Sequence, residues 1–203
     1  MIKAEKPENT FTFELCPEGN HTATLFKIIN FGTLETEWKG KKKEQKKIRL
    51  YWEIPEEKYT YEDKDGKEIQ THHTISSEYT LSFSDQAKLR PIVTGMMGSM
   101  NEEELWDFDI EQLLGRACLL NVVHEKGKND PSKVYSVVGA TSPLIKGLTA
   151  PEPLMAQSVI DVNTASEEEI ESLSGNLKAK MKSSKEYKLK DKVEQNEITM
   201  DDM

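Results

Sequence analysis

Apolar and polar residues alternate without a break from Lys47 to Ile54, putting Ile48, Leu50, Trp52 and Ile54 on one side and Arg49, Tyr51 and Glu53 on the other. A period of two marks a half-buried strand, which Pro55 is expected to stop. Upstream, HTATLFKIINF from His21 is rich in β-branched and aromatic residues, with Thr22, Thr24, Phe26 and Ile28 on one parity, and it ends at Gly32. Downstream, His73 to Phe83 has Ile75, Tyr79, Leu81 and Phe83 on one parity, and the Asp65-Gly66 pair between these two runs predicts the tip of a long hairpin.

The pattern then changes period. QAKLRPIVTGMM predicts a short or bent helix capped by Ser84 or Asp85, with Pro91 inside it. SMNEEELWDF opens like a second helix, with a capping Ser or Asn followed by acids in its first turn, and DFDIEQLL adds one more turn before Gly115. Arg116 to Glu125 is a nearly continuous apolar run, as in a central strand. After the polar turn KGKNDPSK comes a last strand, KVYSVVGA.

Pro143, Gly147, Pro151 and Pro153 mark the exit from this body. The rest is rich in lysine and glutamate with few large apolar residues, which predicts a flexible tail with transient helix near Asn163 and Thr164. Three strands, a helical insert and two strands make the order of an OB-fold. The expected class is therefore mostly β: an OB-fold-like five-stranded barrel with a helical insert between strands 3 and 4 and a flexible acidic C-terminal tail. The expected organisation is an N-terminal arm over 1–18, the barrel over 19–150 and the tail over 151–203.

Composition refines this picture in one respect. The 203 residues carry a formal net charge of -9, which by itself argues against a polyanionic ligand. More than half of the excess acid lies beyond residue 150, and the end VEQNEITMDDM has four acids and no base. The body is closer to neutral, and it contains WKGKKKEQKKIRL, Trp38 to Leu50, a lysine run followed at once by Tyr51 and Trp52.

In the barrel reading this run lies in the loop between strands 1 and 2, which borders the oligonucleotide face together with the loop between strands 4 and 5. Lysines on a loop neutralise phosphates as point charges, and an exposed ring stacks on any base. The candidate binding residues are Trp38, Lys39, Lys41, Lys42, Lys43, Lys46, Lys47, Arg49 and Tyr51, joined by Lys126, Lys128 and Tyr135 across the groove, with Lys133 beside them. Trp52, on the opposite parity, is expected in the core.

Other chemistry finds little support. The two cysteines, Cys16 and Cys118, have no ligand-spaced companions, and His72 and His73 are adjacent, so that in a strand they point to opposite faces. The acids Glu102, Glu103, Glu104, Asp107 and Asp109 serve a helix start as readily as a metal pair. No phosphate-binding glycine loop, nucleophile elbow or dinucleotide fingerprint occurs, so no enzyme, cofactor or metal is expected. The first residues, MIKAEKPENTF, lack the apolar run of a signal peptide, giving an expected cytoplasmic location.

The stretches IINFGTLETEWKGKKKEQKKIRLYWEIPEE, HTISSEYTLSFSDQAKLRPIV and FDIEQLLGRACLLNVVHEKGKNDPSKVYSVVGA resemble phage-encoded single-stranded-DNA-binding proteins with an OB-fold, over roughly residues 19–142. The resemblance implies sequence-independent coating of single-stranded DNA in replication or recombination within the host cell. It further implies an acidic end, here Glu194, Glu197, Asp201, Asp202 and Met203, that recruits replication or recombination proteins; this end lacks the bulky aromatic that commonly closes such tips. A homodimer is compatible with the open strand edges. The alternative is a phage protein whose basic segment docks on a host protein without binding DNA.

Overall fold

Strand β1 (Gly19–Trp38) is the wall that the rest of the molecule shares. In the computed structural model, which describes residues 14–192 except 39, 64, 128 and 129 and the side chain of Trp38, it pairs antiparallel with β2 (Lys41–Glu62) and with β4 (Ala117–Lys126). β2 continues into β3 (Glu68–Thr80) and β4 into β5 (Val134–Ser142), giving the order β3-β2-β1-β4-β5 in one curled antiparallel sheet. This is an OB-fold-like half-barrel, with α1 (Leu89–Met97), α2 (Glu102–Trp106) and a 3-10 turn (Ile110–Leu113) inserted between β3 and β4.

The alternation read in β2 is the alternation observed. Ile48, Leu50, Trp52 and Ile54 are buried in the main core with Ala23, Leu25, Ile75 and Leu120. Pro55 does not stop the strand: pairing with β3 is irregular between Ile54 and Lys58 and then resumes to Glu62. A proline without an amide hydrogen fits such an irregularity. The predicted hairpin tip is present, with the Asp63 amide donating to the Lys67 carbonyl and Gly66 at φ +75°.

β1 departs from simple parity. Register shifts at Leu25/Lys27 and Asn30/Gly32 each insert one residue, Phe26 and Phe31, and each insertion exchanges the faces of the residues beyond it. Leu25 and Ile28 therefore enter the main core, while Ile29, Phe31 and Leu34 point to a second one. The expected single face of Thr22, Thr24, Phe26 and Ile28 does not exist.

The second core corrects the expectation of a largely flexible tail. β6 (Ser158–Asp161) pairs parallel with Lys27–Asn30 of β1, and α3 (Glu167–Glu171), α4 (Gly175–Lys182) and a helical segment over 185–192 come after it. Their few apolar residues, among them Ile160, Val162, Ile170, Leu173 and Met181, are spent against Ile29, Phe31 and Leu34. Gly32 admits this contact, because a Cβ there would lie 2.5 Å from Glu186 Oε2 and 2.9 Å from Val162 Cγ1. Glu186 in turn accepts from the Thr33 amide and hydroxyl, both at 2.7 Å.

Two further details position the insert and the connector. α1 begins at Leu89 with no side-chain cap, not at Ser84 or Asp85, and Pro91 sits in its first turn, where an amide hydrogen has no helical partner. α2 has the expected asparagine cap and, beyond it, a full capping box, the Asn101 side chain accepting from Glu104 N and the Glu104 carboxylate from Asn101 N. The connector is clasped to the sheet by Glu53, fully buried on β2, whose carboxylate accepts from Leu154 N at 3.1 Å and Met155 N at 2.9 Å.

Candidate nucleic-acid interface

The lysine run does not form a loop. Lys41, Lys42, Lys43, Lys46 and Lys47 are ladder residues of β2, opposite Trp38, Glu37, Thr36, Thr33 and Gly32 of β1. Strand geometry sends alternate side chains to opposite sides, so Lys41, Lys43 and Lys47 have one parity and Lys42 and Lys46 the other. Lys42 turns to Glu35 of its own hairpin at 2.8 Å; the hydrogen bond from Lys42 holds that carboxyl below its ordinary range, but both groups are largely exposed. Such a pair contributes little in water.

Lys43, Lys46 and Lys47 gather instead with Lys88 around a groove of about 590 Å3. Thr80, Ser82, Ser84 and Gln86 give it neutral hydrogen-bonding groups, and Glu44 and Glu78 also border it. Lys47 donates to Thr80 Oγ1 at 2.8 Å, and partial burial together with Lys180 pushes its pKa down against the pull of Glu78. The other three lysines are more open to solvent, and their flexible stems suit phosphates of variable position.

Arg49 and Tyr51 do not meet the expectation of an open binding face. Arg49 is directed at Glu78, 3.4 Å away, and Glu78 also takes Lys180 of α4 at 2.5 Å. Tyr51 is half-buried, edge-on to Phe26 with centroids 6.2 Å apart, with Lys27 Nζ 5.9 Å from its ring centroid. Burial raises its pKa. The C-terminal unit, with Lys180 on Glu78 and the second core against Tyr51, covers this face of β2, which the expectation of a flexible tail leaves open. The Trp38 side chain, Lys39, Lys128 and the acidic end from Glu194 to Met203 lie outside the described residues.

A second groove, of about 980 Å3, opens between β3 and β5. Among the described residues each of these strands pairs on one side only, β3 with β2 and β5 with β4, and the groove lies at their other edges. Tyr135, half-exposed, and Lys133 stand on one wall; on the other, Tyr59 stacks on His73 with centroids 4.5 Å apart and planes 29° apart. Tyr61 continues the aromatic row 6.1 Å from Tyr59 and is 42% exposed. Lys126 joins Lys133 and Tyr135 around an adjoining hollow of about 500 Å3.

Tyr135 and Lys126 thus border a different groove from the lysine run, not the same one as expected, and the rings of Tyr59, Tyr61 and His73 near them carry no expectation from the sequence. The spacing Tyr59-Thr60-Tyr61 was the available signal, since period two puts both rings on one side. Burial pushes the His73 pKa below its ordinary value, with Glu14 and Glu57 opposing. His72 points the other way, its Nε2 3.4 Å from the Glu53 carboxylate, so the adjacent histidines do not act together.

β3 runs between the two grooves: residues 73–76 border the aromatic one, and residues 78–80, with Leu81 and Ser82 just beyond the strand, border the basic one. The lysines of β2 and the Lys126–Tyr135 pair, expected to border one groove, lie instead at two grooves with β3 running from one to the other. Among the described residues no group of three or more His, Cys, Asp or Glu is placed to hold a metal ion. No protein-family model matches this chain, and a search of curated proteins returned no match.

Proposed function

We propose that this protein binds single-stranded DNA without regard to sequence and without catalysing a reaction, in the replication or recombination of a phage. The observation that carries the reading is the shared position of β3, with phosphate-neutralising lysines at one end and stacking rings at the other. Residues 73–80 of β3 span roughly 25 Å at the rise of a strand. A backbone laid along them meets Lys43, Lys46, Lys47 and Lys88, then passes its bases over Tyr59, Tyr61 and Tyr135. Each ring contributes about 1–3 kcal/mol by stacking, and since every base offers a π-face the binding is indifferent to sequence. A duplex offers no unstacked bases to these rings, so the selectivity for single strands comes from the aromatic groove.

The test is fluorescence anisotropy with a labelled 30-nucleotide single strand, challenged by unlabelled duplex of the same sequence. The reading expects salt-sensitive binding that duplex barely disturbs, weakened at least tenfold by Tyr59→Ala with Tyr135→Ala. Equal competition by duplex, or a double variant that binds like the parent, would refute it. Binding of a host protein and of no nucleic acid would leave the docking alternative in its place.

A further inference from the structure

Lys47, Arg49 and Tyr51 share one face of β2, and across the ladder they stand opposite Thr80, Glu78 and Ser76 of β3. An arginine directly opposite a glutamate is a favourable cross-strand pair, but this one is poorly made. Arg49 Nη2 reaches Glu78 Oε2 at 3.4 Å, the long end of a hydrogen bond, and Arg49 Nε is buried with no hydrogen-bond partner among the described residues. The same carboxylate oxygen accepts from Lys180 Nζ of α4 at 2.5 Å.

One oxygen of Glu78 therefore serves two cations, and a third, Lys47, is close enough to feel both Glu78 and Lys180. Glu44, the other acid on the border of the lysine groove, is taken by Lys185 at 2.5 Å. Three cations thus share one carboxylate where the groove meets the C-terminal unit. The side chains of Glu78, Arg49 and Lys180 are 22%, 30% and 34% exposed, so an anion reaches them from solvent, while their partial burial makes each charge count for more than it would in open water.

Neither cation depends on Glu78 for its place. Arg49 is carried by the β2–β3 ladder, and Lys180 by α4, with its Nζ 5.5 Å from the ring centroid of Phe31 in the second core. The fork of a guanidinium matches two oxygens of one anion, and Glu78 offers it one oxygen already claimed by an ammonium. A phosphodiester has two free oxygens, one for the fork and one for the ammonium. Glu78 also borders the groove of Lys43, Lys46, Lys47 and Lys88, so a strand lying there passes directly beside this cluster.

We propose that Arg49 and Lys180, with Lys47 beside them, form a phosphate subsite for the bound strand, and that Glu78 competes for it as a built-in anion. In the free protein Glu78 fills the subsite. A phosphate enters by taking the guanidinium and the ammonium together, which leaves Glu78 to solvent. The competition keeps the parent's hold on the strand below what its cations could give, so its salt dependence comes from the groove lysines and release of the strand is eased. Because Arg49 belongs to the barrel and Lys180 to the C-terminal unit, an occupied subsite also ties the two together.

The inference rests on the proposed function, and two probes separate the fate of one from that of the other. Glu78→Gln keeps the size of the side chain and removes its charge. In anisotropy titrations with the labelled 30-nucleotide strand it should bind about threefold tighter than the parent or better, with a slope of log K against log salt steeper by about 0.7, one further phosphate. Inorganic pyrophosphate at constant ionic strength should raise the melting temperature of Glu78→Gln more than that of the parent, since a ligand of the folded state stabilises it. Glu78→Thr, a better strand former, should show the same gains, and adding Lys180→Gln to either variant should remove them. Folded Glu78 variants that bind the strand no tighter and with the parental slope, or gains that survive Lys180→Gln, would overturn the proposal. A parent that binds no single strand would refute the proposed function alone; the subsite then stands on the pyrophosphate response and falls without it.

Discussion

Replacing Lys43, Lys46 and Lys88 together by glutamine keeps three side chains long and polar and removes three charges from the groove that Lys47 shares. Lys47 is spared because it is partly buried and bonded to Thr80. With Lys126 and Lys133 beside the second groove, six lysines would meet phosphates in the proposed reading. At about 0.7 counterion released per phosphate on a single strand, the parent's log K should fall with log salt at a slope of about −4.2, a loss of about 300-fold between 50 and 200 mM. The triple variant should show a slope of about −2.1 and a loss of about 20-fold over the same interval. Anisotropy titrations of a labelled single strand at four salt concentrations measure both slopes. Because the three side chains are at the surface, the unfolding free energy from urea titration should stay within about 0.5 kcal/mol of the parent's. A variant that binds more weakly at every salt but keeps the parental slope would refute the reasoning, since the lysines would then act through structure and not through phosphates.

Three further outcomes test the framework that holds the grooves. Gly95→Ala sets helix propensity against packing: alanine gains about 1 kcal/mol in a helix interior, but its methyl would lie 2.5 Å from Thr141 Oγ1 and against the Thr141 carbonyl oxygen on β5. Overpacking typically costs about 1–3 kcal/mol and backbone yields least, so denaturant unfolding should show a net loss, and a more stable variant would contradict the observed approach of α1 to β5. Phe31→Ala removes a fully buried ring of the second core at a cost of about 3–5 kcal/mol and should expose residues 158–192 to limited proteolysis; unchanged resistance would refute the packing. His73 has a folded pKa below its unfolded value, so its contribution is complete above the ordinary histidine range and is lost as pH falls through that range toward the folded value. Urea melts at pH 7.5 and 5.5 should therefore differ less for His73→Phe than for the parent, and an equal pH dependence would exclude His73 as its source.

The sheet was legible where its local signals agreed with its long-range ones. Ile48, Leu50, Trp52 and Ile54 needed only a period of two, the Asp65-Gly66 turn only its dipeptide, and α2 only a capping residue followed by acids. The lysine ladder was not legible, because lysine is a poor strand former by itself and its pairing is imposed by β1 across the hairpin. The inserted residues Phe26 and Phe31 were hidden for a related reason: a bulge leaves composition unchanged and shows only in the partner's register. That concealed the second core, the second core made the C-terminal residues look unpartnered, and their apparent freedom made Arg49 and Tyr51 look open. Lys126 and Tyr135 follow from the β4–β5 hairpin, whose polar turn KGKNDPSK the sequence also marks.

The shared wall of β1 also limits how the protein can be divided. A fragment ending near residue 150, where the prolines invite a cut, would leave Ile29, Phe31 and Leu34 as a bare apolar stripe and would strip Glu53 of the two amides that receive its charge. Such a stripe favours association between fragments, so the shortened barrel should be less soluble than the whole chain despite losing only its more polar part. The C-terminal unit acts as a permanent chaperone for the strand it covers, and expression trials that seek a minimal binding domain should keep it through residue 192.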